Sequence, residues 1–156
     1  MIQIADPSGS SAMIKFAGAD RLLISNEHVY IHQQGKLRSL DRNKYSNSNN
    51  KISSNNGRAK KLEEQLKETK KKLPNLKNQN QPIKYKNSLD LISQMQMSLN
   101  KIKLSNIKEQ KNLKNSFLWG VDTSAPYDLI LADNILFHGG LDKVSAFNAI
   151  NGDEVW

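Results

Sequence analysis

Three histidines, His28, His32 and His138, supply every imidazole in this 156-residue chain, and no cysteine accompanies them. A transition-metal site built on imidazole needs several donors converging on one ion. His28 and His32 stand four apart in a stretch that reads as a strand, so they share a face but lie ~13 Å apart at ~3.3 Å per residue. Convergence requires His138 to be carried in from a distant segment, and ordinary strand-surface histidines are the preferred reading. Asp122-Thr123-Ser124 sets a hydroxyl near a carboxylate, yet neither a Gly-x-Ser-x-Gly elbow nor a paired histidine goes with it, so it reads as a loop. Asp133, Asn134 and Asp142 are oxygen donors of the kind calcium takes, but they sit at turn positions where such side chains cap the backbone. Gly139-Gly140 lacks the Gly-Lys-Ser/Thr sequence of a phosphate loop and reads as a turn. The absence of cysteine excludes disulfides, thiolate zinc sites, iron–sulfur clusters and cysteine nucleophiles. Nothing in this inventory assembles a catalytic constellation.

The elements that must position these groups are short strands. Arg21 to Ser25, His28 to His32 and Lys36 to Asp41 read as a three-strand meander, with turns at Asn26-Glu27 and Gln34-Gly35. Asp128 to Ala132, Ile135 to His138 and Lys143 to Asn148 repeat the form, and the turn Asn151-Gly152 leads into Asp153-Glu154-Val155-Trp156. Superposed at an offset of 107 without a gap, Leu22 meets Leu129, Val29 meets Leu136, Tyr30 meets Phe137, Leu37 meets Val144 and Leu40 meets Phe147. Internal repeats of this kind are the mark of propellers and solenoids, whose four-stranded unit takes roughly 40 to 50 residues.

What separates the two copies is basic. Between Asn43 and Asn115 there are 17 basic and 5 acidic side chains, a net of +12, whereas the whole chain carries +8. Tyr45 to Gly57 is a Ser/Asn-rich tract expected to be disordered, because it has little apolar area to offset its chain entropy. Leu62, Leu66 and Leu73 recur at helical spacing. Pro74 and Pro82 bracket an Asn/Gln-rich loop. Ser88 is placed as the N-cap of a second helix whose Ile92, Met95, Leu99 and Ile102 form a coiled-coil seam of about two heptads. An antiparallel helical hairpin follows. Its lysines suit nucleic acid or an anionic membrane surface. With only Tyr85 as an aromatic and no arginine cluster, nucleic acid is disfavoured, membrane binding is unsupported, and a solvated arm is preferred. No apolar run approaches the ~20 residues of a membrane helix, and the N-terminus has no secretory signal pattern.

The C-terminal stretch from Leu131 through Gly139-Gly140, Val144-Ser145-Ala146-Phe147-Asn148 and Gly152-Asp153-Glu154-Val155-Trp156 resembles the repeat of quinoprotein-dehydrogenase-like β-propellers, and Leu37 to Asp41 matches the same element in the first copy. The resemblance marks Gly140, Phe147, Gly152 and Trp156 as structural repeat residues: glycine for a tight turn, tryptophan as an apolar wedge between neighbouring units. Catalytic relatives hold pyrroloquinoline quinone and calcium through residues that have no match here, so no cofactor, catalytic residue or metal ligand is expected.

The expected architecture is therefore a set of β-propeller-type antiparallel blade pieces, an incomplete propeller, interrupted by an α-helical hairpin or coiled coil. Its parts are a first blade piece at 1–42, a disordered linker at 43–57, a basic helical insertion at 58–115 and a second blade piece at 116–156. The expected role is a non-catalytic scaffold or protein-interaction segment of a larger protein, its partners being the missing blades or another protein. A fragment of a quinone-dependent oxidoreductase, or a basic helical module binding nucleic acid or anionic membrane, stands as the alternative. The family tendency implies a periplasmic or cell-envelope location.

Overall fold

The computed structural model describes residues 2–4, 14–16, 18–123 and 127–156. Its chain divides into two compact units, one of residues 1–49 and 112–156, the other of residues 50–111.

The first unit is β-structure. Strands β1 (Ile2–Ile4) and β2 (Ile14–Phe16) pair antiparallel. Strands β3 (Ala19–Ile24), β4 (His28–Gln33), β5 (Lys36–Asp41) and β6 (Phe117–Asp122) form a four-stranded antiparallel sheet in chain order. Strands β7 (Leu129–Ala132), β8 (Ile135–Gly139) and β9 (Val144–Asn148) form a three-stranded antiparallel sheet. The hairpins turn on left-handed backbone at Gln34-Gly35 and Asp133.

Residues alternate between the faces of a strand, so the first sheet is apolar on both sides. On one face Val29, Ile31 and Leu40 are buried with Phe16, Ala19 and the half-buried Leu22 and Tyr45. On the other, Tyr30 and Leu37, with Leu23, Trp119 and Val121, bury against Leu136, Phe147, Leu129 and Leu131 of the second sheet. Each large aliphatic side chain so buried contributes on the order of 1.5–3 kcal/mol.

The two sheets share one register. Leu22, Leu23 and Ile24 face Ile31, Tyr30 and Val29; at the offset of 107 that takes Leu22 to Leu129, Leu129, Ile130 and Leu131 face His138, Phe137 and Leu136. The next pair of strands agrees as well, since Val29 faces Leu40 and Tyr30 faces Ser39 while Leu136 faces Phe147 and Phe137 faces Ala146. The agreement goes beyond β9. Ser39 and Leu40 pair with Trp119 and Phe117, skipping Leu118. Phe147 bridges Glu154, and Ala146 exchanges backbone hydrogen bonds with Trp156 and accepts one from Val155. Trp119 and Trp156 are thus equivalent positions. Likewise Asp41 N–H donates to Ser116 O at 2.8 Å, and its counterpart Asn148 N–H donates to Asp153 O at 2.8 Å.

The propeller architecture expected from sequence is corrected. Among the described residues the strands make antiparallel sheets of four and three strands with a two-stranded ribbon, and no closed propeller. Sheets of this size suffice to bury two apolar clusters, one on each side of the first sheet.

Helices α1 (Arg42–Asn78) and α2 (Pro82–Asn115) connect β5 to β6. The stretch expected to be disordered, 45–57, lies inside α1. Asp41 starts that helix: its Oδ1 accepts from Lys44 N–H at 2.9 Å, the bond of an N-cap. The less exposed positions of α1 then recur at alternating spacings of four and three, as Ser48, Ile52, Asn55, Ala59, Leu62, Leu66, Thr69, Leu73 and Leu76. Those of α2 do the same at Tyr85, Ser88, Ile92, Met95, Leu99, Ile102, Asn106, Glu109 and Leu113. This is a coiled-coil seam of about four heptads on each helix. It escapes a reading of apolar residues because its sheet-proximal half is polar. Asn55 Nδ2 donates to Asn106 Oδ1 at 2.9 Å and to Ser105 Oγ at 3.1 Å, and Asn106 Nδ2 donates to Asn56 Oδ1 at 2.9 Å. Lys51 Nζ lies 3.6 Å from the buried Glu109.

Two further boundaries move. Pro74 lies inside α1, where its ring removes one backbone donor without ending the helix, and the connection shrinks to residues 79–81 with Asn80 in the left-handed region. Ser88 is no cap: Pro82 opens α2, and Ser88 Oγ donates to Lys84 O at 2.9 Å.

Candidate interaction site: the open face of the second sheet

Equivalence between the sheets defines the site. The face of the first sheet that packs on the second carries Leu23, Tyr30, Leu37 and Trp119. The residues at the same register in the second sheet are Ile130, Phe137, Val144 and Trp156. Ile130 is 62% exposed and Trp156 73%, with Val144 also exposed and Phe137 partly buried. The second sheet therefore turns to solvent the apolar side that its counterpart buries.

The covered face shows what such a surface engages. Trp119 Nε1–H donates to Ala149 O at 3.1 Å, and Tyr30 O–H donates to the same carbonyl at 3.3 Å. The two rings lie 6.1 Å apart, tilted by 40°. Burial raises the Tyr30 pKa, which keeps the phenol protonated as a donor. Gly152, at φ +80°, packs against the indole. A carbonyl and a glycine in one turn thus accept an indole edge and face, with Phe147 buried beneath.

Of the sequence-marked residues, Phe147 and Gly152 belong to this contact. Trp156 occupies the corresponding position on the open side, with its backbone paired to Ala146. Gly140 N–H donates to Lys143 O at 2.7 Å in the β8–β9 turn. Asp133 also serves a turn, at φ 49°. Trp119, the residue that performs the docking, escapes the sequence reading because the offset falls from 107 to 37 across the helices (Trp119 to Trp156).

Two of the three histidines, His32 and His138, are not the strand-surface residues expected from sequence but a buried pair, whereas His28 is partly exposed. His32 and His138 come from different sheets, both are nearly inaccessible, and their ring centroids stand 5.0 Å apart. His138 Nδ1 lies 3.2 Å from Thr123 Oγ1, while His32 Nδ1 lies 3.4 Å from Asp20 Oδ2 without the alignment of a hydrogen bond. Burial first, and the neighbouring His32 second, lower the pKa of His138 to about 4. His28 sits beside Tyr30, with rings 6.1 Å apart. No group of three histidine, acidic or cysteine side chains placed to hold a metal occurs among the described residues. Asp122 pairs with Lys36 at 2.8 Å, an exposed contact worth little, and Ser124 lies outside the described residues. No protein-family model, curated protein or solved structure matches this chain.

Proposed function

We propose that this chain is a non-catalytic protein-interaction segment, a scaffold whose second sheet binds a further sheet unit through the open face that carries Trp156. The observation carrying the reading is that Ile130, Phe137, Val144 and Trp156 stand where Leu23, Tyr30, Leu37 and Trp119 already hold one sheet on another. Such an interface is heterologous, with one face of each unit meeting the opposite face of the next. A second copy of the chain does not supply the partner face. On the first sheet the required side is covered by Phe16 and Tyr45, and on the second it is filled by the first sheet. The occupant is another sheet with an aliphatic face and a glycine turn bearing a free carbonyl. Kinship with quinoprotein-type repeats is part of this proposal and rests on the motif from Val144 to Trp156.

The test appends a second copy of residues 127–155 after Trp156 through a flexible linker, with 5-fluorotryptophan as the probe. The expected result is that the Trp156 fluorine resonance loses its solvent accessibility and approaches the environment of Trp119. A folded appended unit, seen as added strand signal, beside a Trp156 still open to solvent would refute the reading.

A further inference from the structure

The seam of the helical hairpin accounts for one side of α2, but not for its outer side. At about 100° per residue Met97 and Leu104 lie roughly 120–180° around α2 from Ile92, Met95 and Ile102, and Ile107 roughly 60–140°. All three are exposed, Leu104 by 67% and Ile107 by 63%. With Asn100 they follow spacings of three, four and three, which is a second coiled-coil stripe on the same helix. Helix α1 has no counterpart, because all four of its leucines lie in the seam. Lys101, Lys103 and Lys108 are exposed around this stripe, and the sole acids of α2 are Asp90, near its start, and Glu109, buried on the seam side.

We infer that the outer stripe of α2 is a docking surface for an acidic amphipathic helix of another protein. Apolar residues at a and d of such a helix would cover Met97, Leu104 and Ile107, an amide would meet Asn100, and glutamates at its edges would face the lysines. The same lysines set against each other oppose pairing of two α2 helices. The stripe is also too narrow and too poor in aromatics for a membrane-surface helix, since Tyr85 lies on the seam. A nucleic-acid backbone would engage the lysines and leave the aliphatic side chains in water. This surface shares no residue with the open sheet face, so either reading survives the failure of the other.

The test measures fluorescence anisotropy of a designed, labelled helical peptide, with leucine and isoleucine at a and d and glutamate at the flanks, titrated with the full chain. The expected result is saturable binding, weakened at least about tenfold by Leu104→Ser with Ile107→Ser, and comparably by Lys101→Glu with Lys108→Glu. The serine variant keeps its helical melt because both positions are exposed, and Trp156→Ala leaves binding unchanged. Equal binding of a scrambled peptide, or indifference to the serine substitutions, would overturn the inference. So would sedimentation showing a dimer that Leu104→Ser dissolves, or phosphatidylglycerol vesicles that bind through the stripe when the peptide does not.

Discussion

The indole of Trp119 rests on the backbone of Gly152 so closely that a Cβ placed on that glycine would stand 2.6 Å from Cε3 of the ring. Gly152 also holds φ +80°, a region that side chains disfavour. Two independent constraints therefore fix this position as glycine, one conformational and one imposed by the neighbouring sheet.

Gly152→Ala is accordingly expected to destabilise the protein by about 2–3 kcal/mol, roughly 1 from the left-handed backbone and the rest from displacing the indole. In a Trp119→Ala background the same substitution should cost only the backbone part. Urea titration of the four chains of this cycle checks it, and additive costs would show that the ring does not constrain the glycine.

The equivalent tryptophans should respond oppositely to truncation. Trp119→Ala removes a packed ring and its bond to Ala149 O, at an expected cost of about 3 kcal/mol. Trp156→Ala, at a position 73% exposed, should cost under about 0.5 kcal/mol. Thermal melts of the two variants decide the point.

Acid should loosen the packing between the sheets. With the His138 pKa lowered from 6.5 to about 4, the folded chain binds fewer protons than the unfolded chain between those values. The stability held by the neutral ring is complete above pH 6.5 and falls by up to ~1.4 kcal/mol per pH unit down to about pH 4. His138→Leu should flatten this slope in urea titrations run from pH 7 to pH 4. An unchanged slope would assign it to other groups.

Asp41→Ala should cost about 1 kcal/mol by leaving the first turn of α1 uncapped, and Asp41→Asn less. The backbone N–H of Lys44 is the main cause holding the Asp41 carboxyl below its usual pKa. The cap's contribution is therefore present above the ordinary carboxylate value and is lost as pH falls through the lowered one. Amide hydrogen exchange at residues 44–48 reads it directly.

Asn106→Leu alone should destabilise the hairpin by about 1 kcal/mol, since Asn55 loses one of its two acceptors, keeping Ser105 Oγ, and Asn56 Oδ1 loses its donor. Asn55→Leu with Asn106→Leu should recover most of that loss while weakening the fixed register of the helices. A double variant less stable than either single one would contradict the argument.

The sheets were legible in the sequence because their apolar residues are dense and alternate, so that Leu22 through Leu40 could be laid on Leu129 through Phe147 without a gap. The first half of α1 was not. Ser48 and Asn55 occupy seam positions where leucine would announce a helix, and the pairing of Asn55 with α2 cannot be seen from one strand of text. The signal that was present, Asp41 ahead of Arg42 and Lys44, reads equally well as a strand end. Trp119 stayed hidden because a gapless comparison stops at the helices. The burial of His32 and His138 depends on two sheets meeting, which periodicity within either one does not encode.

One hydrogen bond closes two very different connections. Between Asn148 and Asp153 it spans a turn of residues 149–152; between Asp41 and Ser116 it spans the whole of residues 42–115. The strand ladder is thus blind to how much polypeptide it lets out, provided both ends return side by side, as an antiparallel hairpin ensures. The arm behaves as a graft on a standard joint. Matched heptads added to or removed from both helices would change its reach by ~10 Å a step while the joint stays as it is.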